Sequence, residues 1–304
     1  MMKKIKKGIY PTMITPYKNG EIDFDAVKKL TEWYIKEGCQ GVFAVCQSSE
    51  MQFLSLSERV KLAKAVVEAA DGKLDVVASG HCADSIEEQI EEINQISETG
   101  IDAFVLVSNR LDLHNDGDEV FIENGEKLLA NINKDIPLGV YECPRPYKRL
   151  LSKKNLEWML STNRFQFIKD TCCCPDLLKE RLELLEGSDC ALFNANEQTL
   201  LHSLKCGASG YSGIMANFHP GLLVWLFENY NSEKAETISD ILSMSAFTES
   251  PAYPCTAKYY LNLEGVPMDI YARSADHKNL TSYQKLIVEQ MYHLNNNLKK
   301  YLGL

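Results

Sequence analysis

The chain has 304 residues, of which 45% are hydrophobic and 24% are charged, a balance typical of soluble globular proteins. Its 42 acidic side chains outnumber the 32 basic ones and give a formal net charge of −10, which argues against a nucleic-acid partner. No apolar run approaches the roughly 18 residues of a membrane span. The positively charged start is followed directly by Ile9-Tyr10-Pro11-Thr12 and not by a long apolar stretch, which disfavours secretion.

The chain contains ten cysteines, and three of them, Cys172 to Cys174, are adjacent. Neighbouring cysteines rarely satisfy disulfide geometry with each other. The remaining cysteines do not form the framework of a small disulfide-rich domain. The sequence therefore predicts reduced thiols and a cytoplasmic protein.

Short apolar runs alternate with amphipathic stretches along the first 230 residues. Strands are predicted at Gly8–Thr15, Gly41–Val45, Leu74–Ala78, Asp102–Val107, Ile136–Tyr141, Phe165–Lys169, Cys190–Phe193 and Gly207–Ser212. A first helix is predicted from Asp23 to near Gly38. Further helices are predicted at Ser57–Ala70, Asp84–Glu98, Asp118–Asn131, Ser152–Leu160, Pro175–Leu185, Glu197–Leu204 and Pro220–Tyr230.

Eight strand–helix units of this length predict an α/β fold of the TIM (β/α)8 barrel type over residues 1–230. A doubly wound open sheet is the competing fold, but the chain lacks the Gly-rich first turn with which such a sheet binds a nucleotide. Three more helices are predicted at Ser232–Phe247, Ala252–Leu263 and Leu280–Leu302. They predict a C-terminal three-helix appendage over residues 231–304.

Lys169 ends the sixth predicted strand, and the chemistry of a TIM barrel lies at the carboxyl ends of its strands. In Phe165-Gln166-Phe167-Ile168-Lys169, alternation puts the lysine on the same face as both phenylalanines. If that face points into the barrel, burial lowers the pKa of the amine, and a neutral amine can form an imine with a ketone. The alternative is a lysine that extends from the strand end into water.

Tyr141 ends the fifth predicted strand, after the small residue Gly139. A phenol over the barrel mouth can relay a proton to or from a carbinolamine. The alternative is an aromatic ring that fills the top of the barrel.

Several motifs occur together in a recognisable order. They are Gly8 with Ile14-Thr15-Pro16, Gly20-Glu21-Ile22-Asp23, Cys46-Gln47-Ser48-Ser49-Glu50, Leu56-Ser57-Glu58-Arg59, Tyr141-Glu142-Cys143-Pro144, Phe167-Ile168-Lys169-Asp170-Thr171, Asn217-Phe218-His219-Pro220, and Pro254 with Lys258. The set resembles the dihydrodipicolinate synthase / N-acetylneuraminate lyase family of class I aldolases over nearly the whole chain. The resemblance implies that Lys169 forms an imine and that Tyr141 is its acid–base partner, without a metal or an organic cofactor. It also implies that Ser48 and Ser49 hold the substrate carboxylate, and that the chain forms a homo-oligomer, a tetramer or a dimer.

Three positions depart from the synthase pattern. Gln47 stands where the synthases have a hydroxyl that passes protons on, and Leu111 aligns with the tyrosine that they borrow from a neighbouring subunit. Arg145 lies one position before the arginine that holds their second substrate. These losses argue against lysine biosynthesis.

The seventh predicted strand is followed by Asn196 and Glu197, where the sialic-acid lyases of the family bind sugar hydroxyls. Both side chains are able to make paired hydrogen bonds to a polyol. The alternative is a helix N-terminus capped by Asn196. Tyr211, on the last predicted strand, is a further candidate for substrate binding.

Thiols recur at the predicted barrel mouth, at Cys46, Cys82, Cys143 and Cys172, and His81 adds an imidazole. Thiolates and imidazoles bind zinc, so a metal-dependent lyase is an alternative. No C-x-x-C spacing supports it, and cysteine is a common small core residue. We therefore expect no metal, and we expect His81, His202 and His219 to be structural.

Together these observations predict a Schiff-base aldolase or lyase that acts on a 2-oxo acid, such as a 2-keto-3-deoxy sugar acid, with pyruvate as product or donor. A relative that binds 2-oxo acids without turnover is an alternative of another class, which the changes at Gln47 and Leu111 favour. A dihydrodipicolinate synthase is a further alternative, which the same changes disfavour.

Overall fold

A computed structural model describes residues 3–248 and 252–304. Its main sheet has eight strands, and every pair of neighbours is parallel. In chain order the strands are β1 (Gly8–Ile9), β2 (Gly41–Phe43), β3 (Asp75–Ala78), β4 (Ala103–Val107), β5 (Leu138–Tyr141), β6 (Phe165–Asp170), β7 (Ala191–Asn194) and β8 (Gly210–Tyr211). A separate antiparallel hairpin pairs Tyr17–Lys18 with Glu21–Ile22.

Helices connect the strands and cover the outside of the sheet. They are α1 (Phe24–Lys36), α2 (Leu56–Ala70), α3 (Ile86–Ser97), α4 (Asp118–Asn131), α5 (Lys153–Thr162), α6 (Pro175–Leu185), α7 (Leu200–Lys205), α8 (Pro220–Glu228), α9 (Ala235–Ser245), α10 (Cys255–Leu263) and α11 (Ser282–Leu302). Short 3-10 turns occur at Met51–Phe53, Ser108–Arg110, Ile214–Asn217, Ala246–Thr248 and His277–Asn279.

The strands follow one another around the sheet, and β1 pairs with β8. The ring closes between the first two strand segments through a parallel bridge of Thr12 and Phe43. There the Phe43 amide donates to Pro11 O at 2.9 Å, and the Met13 amide donates to Phe43 O at 3.0 Å. The predicted (β/α)8 barrel is confirmed.

Several elements are shorter than predicted, among them β1, β8 and α7. Strand β1 ends at Ile9 and not at Thr15, because Pro11 has no N–H with which to continue the ladder. Helix α7 begins at Leu200 and not at Glu197, because the chain first makes a turn in which the Thr199 amide donates to Asn196 Oδ1 at 3.1 Å.

Aromatic side chains fill the barrel. The rings of Phe167 and Phe193 stack with centroids 4.5 Å apart, and Tyr10 meets the Phe193 ring at 4.8 Å. Phe165 does not join them, contrary to the expectation from simple alternation. A register shift between β5 and β6 opposite Phe165 interrupts the alternation, and that ring packs against Trp158 of α5 at 5.6 Å.

The three predicted C-terminal helices are α9, α10 and α11, which start two or three residues later than expected. Their buried side chains, Ile238, Leu242, Tyr260 and Met291 among them, belong to the same apolar core as the barrel. The domain boundary at residue 230 stays a prediction, and residues 1, 2 and 249–251 of the two predicted domains lie outside the described residues. No helix within the described ranges has the length and apolar character needed to cross a bilayer.

Phe193→Ala should lower the free energy of unfolding by about 3–5 kcal/mol, because the barrel interior cannot collapse into the space left by the ring. Phe24→Ala is the matched control, since that ring is 41% exposed, and it should change stability by less than about 1 kcal/mol. Urea denaturation measures both, and equal losses would contradict the packing described here.

Candidate active site

Lys169 and Tyr141 lie side by side at the carboxyl ends of adjacent strands, because they are register partners on β6 and β5. The Lys169 Nζ atom is 4.0 Å from the centroid of the Tyr141 ring and 5.7 Å from that of Phe43. Both side chains are 4% exposed. The two residues that the sequence proposed as imine former and proton relay are therefore in contact.

The Lys169 amine has little to hold it in the charged state. Burial lowers its pKa to about 8. Within the described ranges no carboxylate forms an ion pair with it. Its polar neighbours with an electrostatic effect are the thiols of Cys46 and Cys143. At neutral pH a fraction of roughly one tenth is free amine.

The carboxylates next to these residues in sequence face a different partner. Arg181 of α6 pairs with Glu142 Oε1 at 2.8 Å and also contacts Asp170 Oδ2. The carboxylates are fully buried, and they accept further bonds from the backbone, such as the Thr171 amide to Glu142 Oε2 at 2.8 Å. This arrangement fixes the ends of β5 and β6 and directs both acids away from the amine.

Above Lys169 lies a cavity of about 540 Å³, called the central cavity below. Five of the predicted site residues line it, namely Lys169, Tyr141, Gln47, Ser48 and Asn196. Arg110, Arg145 and Lys148 also line it, whereas no acidic side chain does within the described part of the chain. A cavity with this lining attracts an anionic ligand, although the whole chain carries a net charge of −10.

The two serines of the loop after β2, both predicted to hold the substrate carboxylate, lie in different surroundings. Ser48 faces the central cavity, and its hydroxyl donates to Thr12 Oγ1 at 3.1 Å. Ser49 is fully buried, donates to Met13 O at 2.7 Å and accepts from the Cys46 amide at 3.0 Å. Its hydroxyl therefore shapes the loop, and Ser48 is the serine placed to meet a ligand.

Asn196 lies between the central cavity and a neighbouring space of about 530 Å³, called the side cavity. Its amide closes the turn before α7, with Oδ1 bound to the Thr199 amide and Nδ2 donating to Gln198 Oε1 at 2.6 Å. Asn196 therefore closes a turn ahead of the helix, whose own N-cap residue is Thr199. Glu197 and Tyr211 line the side cavity but not the central cavity.

Glu197 is buried and forms a pair with His219, whose Nε2 is 2.7 Å from Glu197 Oε1. Its second oxygen, Oε2, has no hydrogen-bond partner among the described residues. A buried carboxylate oxygen without a partner costs free energy unless a ligand supplies a donor. Glu197 is therefore better placed than Asn196 to bind a hydroxyl.

The structure also shows cavity residues that sequence reasoning missed. Lys148 and Tyr253 line the central cavity. Tyr253 follows no strand, and only the tertiary fold brings α10 and the residues before it to the mouth. Leu111 is fully buried, so its side chain is part of the core and is not offered to a neighbouring subunit.

His81 is structural, as expected. The Val107 amide donates to its Nε2 at 2.6 Å, and its Nδ1 is 2.8 Å from Gln89 Oε1. Burial lowers the pKa of His81 to about 4, so the ring is neutral. All ten cysteines are free, and residues 3–248 and 252–304 contain no group of three or more His, Cys, Asp or Glu side chains placed to hold a metal ion.

The buried lysine and the cationic cavity lie at the carboxyl ends of the barrel strands. This is the face on which TIM-barrel enzymes carry their active sites. A model of the dihydrodipicolinate synthetase family matches residues 5–290. The chain belongs to this family. The predicted family resemblance and the predicted assignment to the lyases are thereby confirmed.

Relatives cover most of the chain at low identity. A 4-hydroxy-tetrahydrodipicolinate synthase of Methanocaldococcus jannaschii is 27% identical over 286 residues, which is 90% of this chain and 96% of the relative. That of Methanococcus maripaludis is 24% identical over 267 residues, 86% of this chain and 89% of the relative. The sialic acid aldolase of Ruminococcus gnavus superposes with a TM-score of 0.86 at 20% identity, over 98% of this chain and 99% of that one. This structural likeness shows the fold.

Labelling of Lys169 by an amine-reactive reagent should rise with pH through a midpoint near 8, because burial lowers the pKa of this amine to about 8. The free-amine fraction should grow from roughly one tenth at pH 7 to roughly nine tenths at pH 9. Competitive labelling with peptide mass spectrometry measures the midpoint. A midpoint at about 10.4, the value of an ordinary lysine, would contradict the desolvation.

Proposed function

We propose that this protein is a Schiff-base aldolase or lyase that acts on a 2-oxo acid, with pyruvate as product or donor. The observation that carries the proposal is the buried Lys169 amine, which has a pKa of about 8 and forms no ion pair with a carboxylate of the described chain. A free amine adds to a ketone, and the protonated imine that follows withdraws electrons from the adjacent C–C bond.

Tyr141 is proposed as the group that moves protons at the imine. Its ring lies against the Lys169 Nζ atom, and burial raises the pKa of its hydroxyl well above the ordinary value. A phenol of that kind stays protonated, so it donates to the leaving hydroxyl of a carbinolamine.

The charges of the central cavity support an acid as the substrate. Ser48, which lines the cavity, is proposed to hold the 2-oxo acid's carboxylate, with Gln47 beside it and Ser49 shaping the loop. Arg145 and Lys148 lower the potential energy of an anion that enters the mouth, whereas Arg110 is paired with Asp84 at 2.6 Å. No metal or organic cofactor is needed for these steps.

A polyol tail, as in a 2-keto-3-deoxy sugar acid, is proposed for the part of the substrate beyond the bond that breaks. The side cavity adjoins the central cavity at Ala195 and Asn196, and Lys169 lines only the central cavity. The buried Glu197 Oε2 atom supports a hydroxyl ligand there. Tyr211 lines the same space and is also proposed to bind the substrate.

A dihydrodipicolinate synthase remains the second candidate, because the curated relatives named above carry that activity in their names. The buried position of Leu111 and the amide of Gln47 count against it, since neither side chain is able to replace the proton-carrying hydroxyls. A binding protein without turnover is the third. The contact between Lys169 and Tyr141 counts against that alternative.

Incubation with pyruvate and borohydride should add one reduced pyruvyl group at Lys169, seen by peptide mass spectrometry. Lys169→Ala should abolish the adduct. Lys148→Ala is the matched control, because this lysine lines the same cavity but is exposed, and the variant should keep the adduct. Absence of an adduct in the wild type with pyruvate and with larger 2-oxo acids would refute the imine.

Glu197→Ala should reduce the preference for 2-keto-3-deoxy acids over analogues without distal hydroxyls by about tenfold or more, because a hydrogen-bond acceptor for a hydroxyl is lost. The imine at Lys169 should still form with pyruvate. His219→Gln is the matched control, since it breaks the same buried pair but keeps the carboxylate, and it should lower stability without changing the preference. The measurement is the ratio of kcat/KM for the hydroxylated acid to kcat/KM for the analogue without distal hydroxyls. If Glu197→Ala leaves this ratio unchanged, the proposal of a polyol tail is wrong.

A further inference from the structure

Cys143 lies two residues after Tyr141, in the first turn beyond β5, and its side chain is fully buried. Its thiol donates to Gln47 Oε1, with 2.9 Å between the sulfur and the oxygen. Tyr141, two residues earlier, acts electrostatically on the thiol and is its other polar neighbour. The thiol therefore bonds to the amide of Gln47 and lies next to the phenol beside Lys169.

An imine at Lys169 creates a charge that the free amine does not have. A protonated imine carries one positive charge. No carboxylate of the described chain pairs with the Lys169 side chain. Within a buried site such a charge is costly unless negative groups lie nearby, and the carboxylate of the bound 2-oxo acid is one of them. The thiols of Cys143 and Cys46 are the groups that act electrostatically on Lys169.

Proton transfer raises a second requirement. When the phenol of Tyr141 gives its proton to the leaving hydroxyl of the carbinolamine, a phenolate remains, and burial makes that anion unfavourable. An ordinary thiol ionises about 1.5 pH units below an ordinary phenol. Burial raises the pKa of both groups here. A proton therefore moves from the thiol to the phenolate more readily than the reverse.

We propose that Cys143 supplies the proton for imine formation through Tyr141 and remains as a thiolate close to the iminium. The inference rests on the proposed function at Lys169. The neutral carbinolamine and the neutral thiol give the iminium, the thiolate and one water. The C–O bond breaks, the oxygen leaves with the proton of Tyr141, and the S–H proton restores the phenol. Hydrolysis of the imine runs the same transfers backwards.

Gln47 suits both states of this thiol. Its carbonyl oxygen accepts from the S–H group, and after a rotation of the amide its NH₂ group donates to the thiolate. Gln47 is thus able to stay bonded to the sulfur in both protonation states.

The surroundings of the thiol contain few other charges. The titratable groups that face it are Lys169, Tyr141, Cys46 and Cys82. The Asn109 amide donates to the Cys143 carbonyl at 3.0 Å and so fixes the backbone that carries the thiol. Cys143 acts through Tyr141 and not on the substrate, so a test must separate proton supply from packing.

The number of protons exchanged with solvent per imine distinguishes proton supply by Cys143 from a purely structural role. At pH 8.5, roughly a quarter of a lysine with a pKa of about 8 is protonated. With the thiol as the proton source, wild-type protein should release about a quarter of a proton per imine formed. Without it, each imine should take up about three quarters of a proton. A pH indicator in weak buffer measures the exchange on addition of pyruvate, and trapping with borohydride counts the imines.

Cys143→Ala and Cys143→Ser should each take up about one proton more per imine than the wild type. They should also form the imine more slowly, by about 10²-fold or more. Cys46→Ala is the matched control, because it removes the other buried thiol beside Lys169, and it should keep the wild-type count. A structural role alone would change the rate or the stability but not the count.

Uptake of about three quarters of a proton by the wild type would overturn the relay, whatever the variants do. Equal counts in wild type and in a folded Cys143 variant would overturn it as well, and both results leave the imine at Lys169 intact. If the wild type forms no trapped adduct at all, the proposed function fails, and the relay fails with it.

Discussion

The desolvation of one amine is the constraint on which the rest of the barrel mouth depends. Lys169 is kept out of water by Phe43 and Tyr141, and burial lowers its pKa to about 8. A carboxylate facing this amine would stabilise the ammonium and remove its nucleophilic character. The acids that follow Tyr141 and Lys169 in sequence, Glu142 and Asp170, are instead paired with Arg181.

The ion pairs of Arg181 also position the two candidate catalytic residues. Arg181 joins the ends of β5 and β6, and the parallel register between these strands places Tyr141 beside Lys169. A buried ion pair of this kind contributes little net stability because its desolvation is costly. Its effect here is to fix two strand ends and to leave the cavity above them without an acidic lining in the described chain.

The departures from the synthase pattern then form one coherent change in proton handling. Leu111 is a core residue and carries no proton, and Gln47 accepts a hydrogen bond from a thiol where a hydroxyl was expected. Together with Tyr141, these residues leave Cys143 as the group through which a proton enters the site. An ordinary thiol is more acidic than an ordinary phenol and is therefore the better proton source near neutral pH.

The sequence by itself determined the barrel, the order of its elements and the strand end that carries Lys169, because period-two and helical patterns and cap residues act locally. It did not determine which face Phe165 presents, because a register shift with β5 interrupts simple alternation. Nor did it separate Ser48 from Ser49, or show that Asn196 closes a turn while Glu197 forms a buried pair with His219. Only the tertiary structure decided these points, because burial, charge pairing and the lining of a cavity arise from segments far apart in the chain.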